Sequence, residues 1–334
     1  MKHLVLLLLL ITHLFGETHL KIATYNVENL FDLKRDGHEY KEYIPNTSSQ
    51  WNKKNYTIKL KNTAKVIKDI DADIIALQEI ESLQALKDLR YTLKRQGLYY
   101  KYYKIANRKS TTVKVAVLSK YPFATTREIY VTSSYKYRNI LELKFIIDKQ
   151  PLYLFVNHWK SKSGPESMRI VSAKALRKRI DTLGYDKNII LLGDFNSDYE
   201  ENIKFKRKRR HNDTNGRTGI NDILRTKKQK DKASQVKFVS KNFYNLWYDT
   251  EKAERYTYIF RGKKEALDNI LISQSLLQKN TIEYIEGSIE SFKSPYLLKG
   301  KGFYRWQMSW RKPRKHKGKG YSDHLAVSAE FLVK

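Results

Sequence analysis

Short apolar segments with the length of β-strands recur along this chain, and several of them end directly at an acid, an amide or an imidazole. Helix-like apolar spacing occurs at residues 56–70 and 84–93, and a further helix is predicted from about Pro165, with Gly184 as its stop. Strands and helices that bury one face each pack as layers, so the pattern predicts a layered α/β domain. The predicted strands cover residues 20–27, 73–77, 100–105, 113–119, 140–147, 152–157, 188–192, 256–260, 267–272 and 325–332.

Some of these strands follow one another without an intervening helix. Residues 100–105 precede 113–119 in this way, and residues 140–147 precede 152–157. Such neighbours predict antiparallel hairpins, which gives the domain α+β character. We therefore expect mixed sheets that are covered by helices.

The first sixteen residues have the pattern of a secretory signal peptide. Lys2 and His3 precede an apolar run over residues 4–11 that continues through Leu14 and Phe15, and the small residue Gly16 ends it. The run is short for a bilayer span, which needs roughly 20 apolar residues. We expect residues 1–16 to be removed on export to the periplasm or the medium, with a retained N-terminal anchor as the alternative.

Composition limits the remaining chain, residues 17–334, to a few classes. The whole sequence has no cysteine, which excludes disulfides and thiolate metal sites, and neither a linker nor a repeat divides this region, so we expect one domain and a monomer. Lys and Arg number 65 against 35 Asp and Glu, a formal charge of +30. This excess favours nucleic acid as the partner, with an anionic membrane surface second.

Two polar residues at strand ends are candidate metal ligands. Glu79 follows the apolar run 73–77 at the edge where open α/β sheets place their ligand sites, and Mg²⁺ needs as few as one or two carboxylates. Asn26 stands at the end of the first strand, where its amide would reach a metal, its waters or a phosphate oxygen. An exposed strand-end acid and an ordinary turn asparagine are the alternative interpretations.

Further acids and imidazoles follow other predicted strands. Asp194 and Asn196 flank Phe195 after a fully apolar run, where both would project into a cleft, although a plain turn would have the same sequence. Asp268 lies in an otherwise apolar strand and needs a buried hydrogen-bond donor, and a histidine such as His324 would serve. His158 supplies a second imidazole, with a structural role as the alternative.

At these positions the chain resembles the endonuclease/exonuclease/phosphatase superfamily, and within it secreted bacterial nucleases related to deoxyribonuclease I. The resemblance runs from about Lys21 to Phe331. It implies a four-layer sandwich of two facing mixed β-sheets flanked by helices. The motifs that carry it, in the order of the family, are Tyr25-Asn26, Gln78-Glu79, Asn157-His158-Trp159, Gly193-Asp194-Phe195-Asn196, Leu267-Asp268 and Ser322-Asp323-His324.

The resemblance also implies roles for these residues. Glu79 would be the principal ligand of Mg²⁺, or of Mn²⁺ or Ca²⁺, with Asn26 and Asp323 near the metal. Asp194 and Asn196 would orient water and phosphate, and His158 would stabilise the phosphate or protonate the leaving oxygen. Water activation falls either to His324 held by Asp268 or to Asp194. A histidine at position 158 is typical of the secreted enzymes rather than of base-excision endonucleases.

A basic and aromatic insertion at about residues 295–320 is the predicted substrate-binding segment. Arg305, Trp306, Arg311 and Lys312 are its candidate contacts, and a second basic run covers residues 207–210. Aromatic rings among cations stack on bases, insert into a membrane interface or pack a satellite core. Charged runs are also often solvated loops.

The predicted function is therefore that of an exported, Mg²⁺-dependent endonuclease of low sequence specificity that acts on DNA, with RNA as a further candidate substrate. A sphingomyelinase-like phospholipid phosphodiesterase is the first alternative, because the same residues would serve it. A non-catalytic nucleic-acid or surface-binding protein is the second. A binding module would have no use for Glu79, Asp194, His158 and His324 together.

Overall fold

The structure is a computed structural model that describes residues 17–109, 111–205, 211–227, 241–278 and 281–334. The predicted signal peptide, residues 1–16, and the basic run 207–210 lie outside the described residues. Among the residues that are described, no helix combines the length and the apolar character needed to cross a membrane.

Strands predominate over helices in the described chain. The strands are β1 (Thr18–Leu30), β2 (Ile74–Ile80), β3 (Tyr102–Ile105), β4 (Lys114–Ser119), β5 (Phe123–Ile129), β6 (Ile140–Ile147), β7 (Gln150–His158), β8 (Ile189–Asp194), β9 (Thr226–Lys227), β10 (Phe243–Asn245), β11 (Tyr258–Phe260), β12 (Lys263–Glu265), β13 (Asp268–Ile272), β14 (Ile282–Tyr284), β15 (Glu290–Ser291), β16 (Leu298–Lys299), β17 (Gly302–Phe303) and β18 (Val327–Val333). The α-helices are α1 (Lys53–Ile70), α2 (Leu83–Arg95), α3 (Glu166–Leu183) and α4 (Glu201–Lys204). Short helical turns cover Lys41–Tyr43, Gly219–Ile223, Leu246–Asp249, Lys252–Glu254, Gln274–Leu277 and Pro295–Leu297.

Most of the strands form two large mixed sheets, and β11-β12 and β16-β17 form separate two-stranded sheets. The first has the order β14-β18-β1-β2-β4-β3, with β15 also paired to β18, and the second has the order β5-β6-β7-β8-β13-β10-β9. In the first sheet β1 and β2 are parallel, and in the second β7 and β8 are parallel. The predicted hairpins β3-β4 and β6-β7 are antiparallel, as expected.

The two sheets face each other across a buried apolar layer. Leu20 and Ile22 of β1 contribute to this layer from the first sheet, and Leu154 and Val156 of β7 contribute from the second. A second cluster packs α1 and α2 on the outer face of the first sheet, and a third packs α3 on the outer face of the second. The order of layers is helix, sheet, sheet, helix, which confirms the expected four-layer α/β sandwich.

Local sequence explains where the main helices begin and end. The side chain of Asn52 caps α1 by accepting from the Asn55 amide, and Ser82 caps α2 by accepting from the Ala85 amide. The third helix begins after Pro165 and ends at Gly184, whose φ of 99° is open to glycine, as the sequence predicts.

Three strands of the second sheet, β5, β9 and β10, were not predicted, and β9 and β10 have only two and three residues. The edge strand β5 pairs with β6 on one side only, and its middle residues, Ala124–Arg127, are exposed. An edge strand with little buried surface has no apolar alternation to reveal it. Every predicted strand has a counterpart in the structure, with end points that differ by a few residues.

Candidate active site

Strand direction brings the predicted polar residues to one edge of the sandwich. The parallel pairs β1-β2 and β7-β8 end at this edge, and the antiparallel strands β13 and β18 begin there. His158 and Asp194 are opposite each other at the ends of β7 and β8, and Asp194 is also opposite Asp268 at the start of β13. Residues far apart in sequence therefore make direct hydrogen bonds; Asn26 and Asp194, for example, are 168 positions apart.

Glu79 is held by the strand next to it. Its Oε1 accepts from Asn26 Nδ2 at 3.2 Å, and its Oε2 accepts from the backbone amide of Asn29 at 2.9 Å. Burial raises the pKa of Glu79, and the nearby charge of Asp323 raises it further. Two acids that repel each other in a buried cleft are the arrangement that a divalent cation would relieve.

Asn26 faces this cleft with its nitrogen. Nδ2 donates to Glu79 and, at 3.0 Å, to Asp194 Oδ2, while Oδ1 accepts from the backbone amide of Glu28 at 3.0 Å. The amide oxygen is thereby directed away from the two carboxylates. In this orientation Asn26 is a donor that positions Glu79 and Asp194, and its place near the metal stays a prediction.

The backbone around the cleft is strained. Glu28, Asn29, Glu79 and Asn196 have φ values of 52°, 62°, 67° and 48°, in the left-handed region that side chains other than glycine seldom adopt. Each such residue costs on the order of 1–3 kcal/mol, and such strain clusters at functional sites. The strand pairing shifts register between Asn26 and Leu30, which turns Glu28 and Asn29 out of the regular ladder.

Asp194 is fully enclosed at the centre of the site. Its Oδ1 accepts from the backbone amide of Asn196 at 2.8 Å. Burial and the charge of Asp268 raise the pKa of Asp194 to about 7, although His324 opposes the shift. The preceding residue must be glycine, because a Cβ on Gly193 would lie 2.1 Å from the carbonyl oxygen of Asn157 on the neighbouring strand.

Asp268 and His324 form the predicted pair. His324 Nδ1 lies 2.7 Å from Asp268 Oδ2, and one potential ligand atom from each of Asp194, Asp268 and His324 falls within 4.8 Å of the others. Burial alone would lower the pKa of His324, but the carboxylate of Asp268 and the charge of Asp194 raise it well above its usual value. Ser322 fixes the loop by donating to the backbone oxygen of Asn26 at 2.7 Å.

His158 differs from His324 in its electrostatic surroundings. Its Nε2 lies 3.6 Å from Asp194 Oδ2 and 3.8 Å from Glu79 Oε1, and its Nδ1 makes no hydrogen bond with any described residue. Burial lowers the pKa of His158 well below its usual value, and the charges of Arg138 and His324 act in the same direction. The site thus combines one imidazole that favours the neutral form with one that favours the charged form.

Arg305 closes the other side of the cleft. Its guanidinium contacts Glu28 through two nitrogens, the Nε–Oε1 distance being 2.8 Å, and lies 3.0 Å from Asp323 Oδ2. Burial and the charge of Asp323 raise the pKa of Glu28 to about 7, although Arg305 opposes this shift. Glu28 was not predicted as a site residue, since its partner lies 277 positions away in sequence.

The site opens as a cleft of about 660 Å³. The predicted residues Glu79, His158, Asp194, Asn196, Arg305, Asp323 and His324 line it, while Asn26 and Asp268 stand behind them as hydrogen-bond partners. Arg138 and Lys160 also line the cleft and were not predicted. The only signal for them in the sequence is that Lys160 follows the Asn157-His158-Trp159 motif.

The four predicted contact residues of the insertion lie in three different environments. Trp306 is 3% exposed and packs among aromatic residues, where its Nε1 donates to His316 Nδ1 at 2.7 Å. An enclosed indole has no free face for a base, so the predicted substrate contact by Trp306 is corrected to a packing role. Arg305 lines the cleft, whereas Arg311 and Lys312 are exposed outside its lining.

The donors at this edge fit a hard divalent cation. Glu79 and Asp323 offer carboxylate oxygens, and Asp194 adds a third carboxylate beside them. Such a cleft at the strand ends of a four-layer α/β sandwich is the arrangement of a phosphoester hydrolase. The chain belongs to the Endonuclease/Exonuclease/phosphatase family, whose model matches residues 21–332.

Solved structures share this fold. D. rerio TDP2, humanised by 14 mutations, matches with 15% identity and a TM-score of 0.58, over 94% of this chain and 98% of that one. An endonuclease/exonuclease/phosphatase family protein from Bacteroides thetaiotaomicron matches with 14% identity and a TM-score of 0.57, over 96% and 100%. A mannosyl-6-phosphatase from the same organism matches with 15% identity and a TM-score of 0.55, over 94% and 100%. A search of curated protein sequences finds no match.

Proposed function

We propose that this protein is a divalent-metal-dependent endonuclease that hydrolyses phosphodiester bonds of DNA, and of RNA as a second substrate, with low sequence specificity. One observation carries the proposal: the Asp268–His324 pair, Asp194 and Glu79 converge in one cleft with an oriented acid, an oriented imidazole and room for a phosphate. Water activation beside hard oxygen donors is the chemistry that such a set supports.

Glu79 is the principal ligand in this proposal, and Asp323 is the second. Mg²⁺ is the expected ion, with Mn²⁺ and Ca²⁺ as substitutes, because the donors are oxygen atoms. When bound, such a cation neutralises phosphate charge and lowers the pKa of bound water. Asn26 and the Asn29 amide keep the carboxylate of Glu79 in place.

The protein groups around the phosphate divide the remaining work. Asp194 and Asn196 orient the attacking water and the scissile phosphate, and His158 contacts the phosphate or the leaving oxygen. His324 takes the proton of the water in one assignment, with Asp268 fixing its ring at 2.7 Å. In the other assignment Asp194 takes that proton, and His324 stays protonated beside the phosphate.

Nucleic acid is the proposed substrate because cations surround the acidic centre. Arg138, Lys160 and Arg305 line the cleft, and the whole sequence carries a formal charge of +30. Phosphates on either side of the scissile bond would meet these cations without base readout. A D. rerio TDP2 of the same fold has been solved in complex with single-strand DNA product, at 14% identity and a TM-score of 0.58, over 94% of this chain and 99% of that one.

Export, one catalytic domain over residues 17–334 and a monomeric state belong to the same proposal. The N-terminal charge and apolar run support export. Mass spectrometry of the protein from the periplasm and the medium tests it, with cleavage after Gly16 expected. A chain that keeps residues 1–16 and stays with the membrane would contradict it.

A substrate panel tests the activity. Supercoiled plasmid, single-stranded DNA, RNA and sphingomyelin are offered to the protein with Mg²⁺ or with a chelator. We expect cleavage of the nucleic acids with Mg²⁺ alone and no cleavage of the lipid. Lipid cleavage with intact plasmid would instead establish the sphingomyelinase-like alternative, and no hydrolysis of any substrate would favour a binding protein.

A further inference from the structure

The chain beyond Arg305, a residue of the cleft lining, forms a hairpin. Its two arms are joined by backbone hydrogen bonds from Tyr321 to Tyr304, from Gln307 to Lys319, from Lys317 to Gln307 and from Ser309 to Lys315. The turn at its end, residues 310–314, is the hairpin tip, with the sequence Trp-Arg-Lys-Pro-Arg. Ser309 Oγ organises the tip by donating to the Arg311 carbonyl at 3.1 Å and accepting from the Lys315 amide at 2.9 Å.

The hairpin is fixed to the body of the protein close to its tip, at the pair formed by Met308 and His316. His316 is 2% exposed; its Nδ1 accepts from Trp306, and its Nε2 lies 2.8 Å from the backbone oxygen of Glu42. The His316 amide also donates to the Ser49 carbonyl at 2.8 Å. Because these partners hold the hairpin directly below residues 310–314, the tip is presented in a fixed place.

The tip exposes an aromatic ring among cations. Trp310 is 93% exposed, more than any other large hydrophobic side chain in the described residues. Between Ser291 and Ser322 the sequence has no Asp or Glu. Over the same stretch its cations are Lys293, Lys299, Lys301, Arg305, Arg311, Lys312, Arg314, Lys315, Lys317 and Lys319.

This chemistry favours single-stranded nucleic acid over a lipid surface. A membrane anchor needs an extended apolar area, and the tip, residues 310–314, offers one indole. One exposed ring suffices to stack on one base, and neighbouring Arg and Lys side chains track the phosphates on either side of it. The exposure of Arg311 and Lys312 outside the cleft fits contacts with a strand that has already left the active site.

Distance along the chain sets the length of strand involved. Trp310 is five residues from Arg305, which lines the cleft, so the two lie at most about 17 Å apart at roughly 3.4 Å per residue. Stacked nucleotides repeat at about 3.4 Å along a strand, so up to about five of them bridge this gap.

We infer that the hairpin tip is a second nucleic-acid contact, where Trp310 stacks on an unpaired base and Arg311 and Lys312 bind its flanking phosphates, outside the catalytic cleft. The inference rests on the proposed nuclease function. It makes the tip a determinant of substrate length, because a dinucleotide fills the cleft without reaching Trp310.

Tryptophan fluorescence tests the inference directly. The chain has five tryptophans, and Trp51, Trp159, Trp247 and Trp306 are all buried, so exposed-indole emission reports Trp310. The protein is titrated in chelator with a single-stranded oligonucleotide of about 12 nucleotides, which exceeds the required reach. We expect quenching of this emission by the oligonucleotide, no quenching by a dinucleotide, and no shift with anionic phospholipid vesicles.

Matched variants separate stacking from general charge. Trp310→Ala should weaken oligonucleotide binding about tenfold, and Trp310→Phe should retain most of the affinity, since a stacked base contributes through the ring. Tyr91→Ala removes an exposed ring from α2 and should change nothing. The double variant Arg311→Ala, Lys312→Ala should reduce the salt slope by about 1.4, or about 0.7 for each lost phosphate contact.

Equal oligonucleotide binding by wild type and Trp310→Ala would overturn the inference, as would an emission shift with vesicles but not with oligonucleotide. Hydrolysis of bis(p-nitrophenyl) phosphate, which is too small to reach the tip, reports the cleft separately. If the Trp310→Ala variant cleaves DNA of every length as well as wild type does, the tip contact is disproved and the proposed nuclease function is not. A wild type that cleaves no nucleic acid disproves the proposed function itself.

Discussion

Two buried regions of this protein contain polar side chains, and they differ in whether the polar atoms of those side chains have hydrogen-bond partners. In the aromatic cluster beneath the hairpin, both ring nitrogens of His316 have partners, and the Trp51 indole donates to the Asp32 carbonyl at 3.1 Å. In the cleft, His158 Nδ1 and Asp268 Oδ1 make no hydrogen bond with any described residue. The polar groups of the aromatic cluster therefore have hydrogen-bond partners within the protein, whereas some of those at the cleft have none among the described residues.

The two regions also differ in charge, because the cleft crowds acidic side chains together. Glu28, Glu79 and Asp194 all have raised pKa values, chiefly because they are buried together. Such crowding opposes folding, and backbone strain at Glu79 adds to the cost. We infer that the cleft is organised for the charge that a substrate phosphate and a cation would bring, and that the aromatic cluster is organised for stability. Replacements in the cleft should therefore reduce activity, and those in the cluster should reduce stability.

Glu79→Gln should give the largest effect. The amide keeps the shape of the side chain but loses the charge of the principal ligand, so kcat/KM for bis(p-nitrophenyl) phosphate with Mg²⁺ should fall at least about a thousandfold. The melting temperature should stay the same or rise, because a crowded buried acid is removed. Glu283→Gln, which breaks only an exposed ion pair with Lys334, is the control and should leave both quantities unchanged.

Asp268→Asn should lower kcat about a hundredfold, since His324 loses the carboxylate that orients and charges it. The control is Asp73→Asn at the opposite end of the first sheet, where the acid accepts from the Lys21 amide and pairs with Lys120. That variant should lose some stability and no activity. A kcat for Asp268→Asn within a factor of about three of wild type would show that the pair has no catalytic part.

Trp306→Phe should have the opposite effect to the cleft variants, because it should reduce stability and leave activity nearly unchanged. It leaves His316 Nδ1 without its donor, so denaturant titration should show a loss of about 1–3 kcal/mol in the free energy of unfolding. Hydrolysis of the small substrate should stay within about threefold of wild type. Full stability with lost nucleic-acid affinity would instead restore Trp306 as a substrate contact.

The smallest expected effect is the pH-dependent contribution of His316 to the free energy of unfolding. Burial lowers its pKa, Lys59 lowers it further, and the hydrogen bond to Glu42 opposes them. The unfolded chain therefore takes up a proton first, and the stability that neutral His316 contributes above its unfolded pKa of about 6.5 is lost as pH falls toward the lower folded value. Between about pH 7.5 and pH 5.5 wild type should lose up to about 1 kcal/mol more than His316→Gln, and parallel curves would contradict this.

The sequence predicts most of the fold, and it does so through the apolar runs. Residues 140–147 are apolar enough to define β6 to the residue, and Pro165 and Gly184 mark the ends of α3. The strand β5 was not predicted because an exposed edge carries no such pattern. Polar residues that directly follow buried strands were identifiable for the same reason, since the strand fixes where they lie.

Relations between distant segments could not be read from the sequence. The contact between Arg305 and Glu28 spans 277 positions, and Arg138 reaches the cleft from the segment before β6. The side chain of Asn26 directs its Nδ2 toward Glu79 and Asp194 because its Oδ1 accepts from the backbone amide of Glu28. Trp306 and Trp310 have similar basic surroundings in sequence, yet one is 3% and the other 93% exposed, because only the first meets His316.

In the proposed function the cleft carboxylates hold the cation that is needed to cut nucleic acid. Plasmid nicking as a function of Mg²⁺ concentration, in wild type and Glu79→Gln side by side, measures it most directly. We expect saturable nicking by wild type that a chelator abolishes, and no nicking by the variant at any Mg²⁺ concentration tested. Equal nicking by both proteins, or nicking that persists in chelator, would contradict the account.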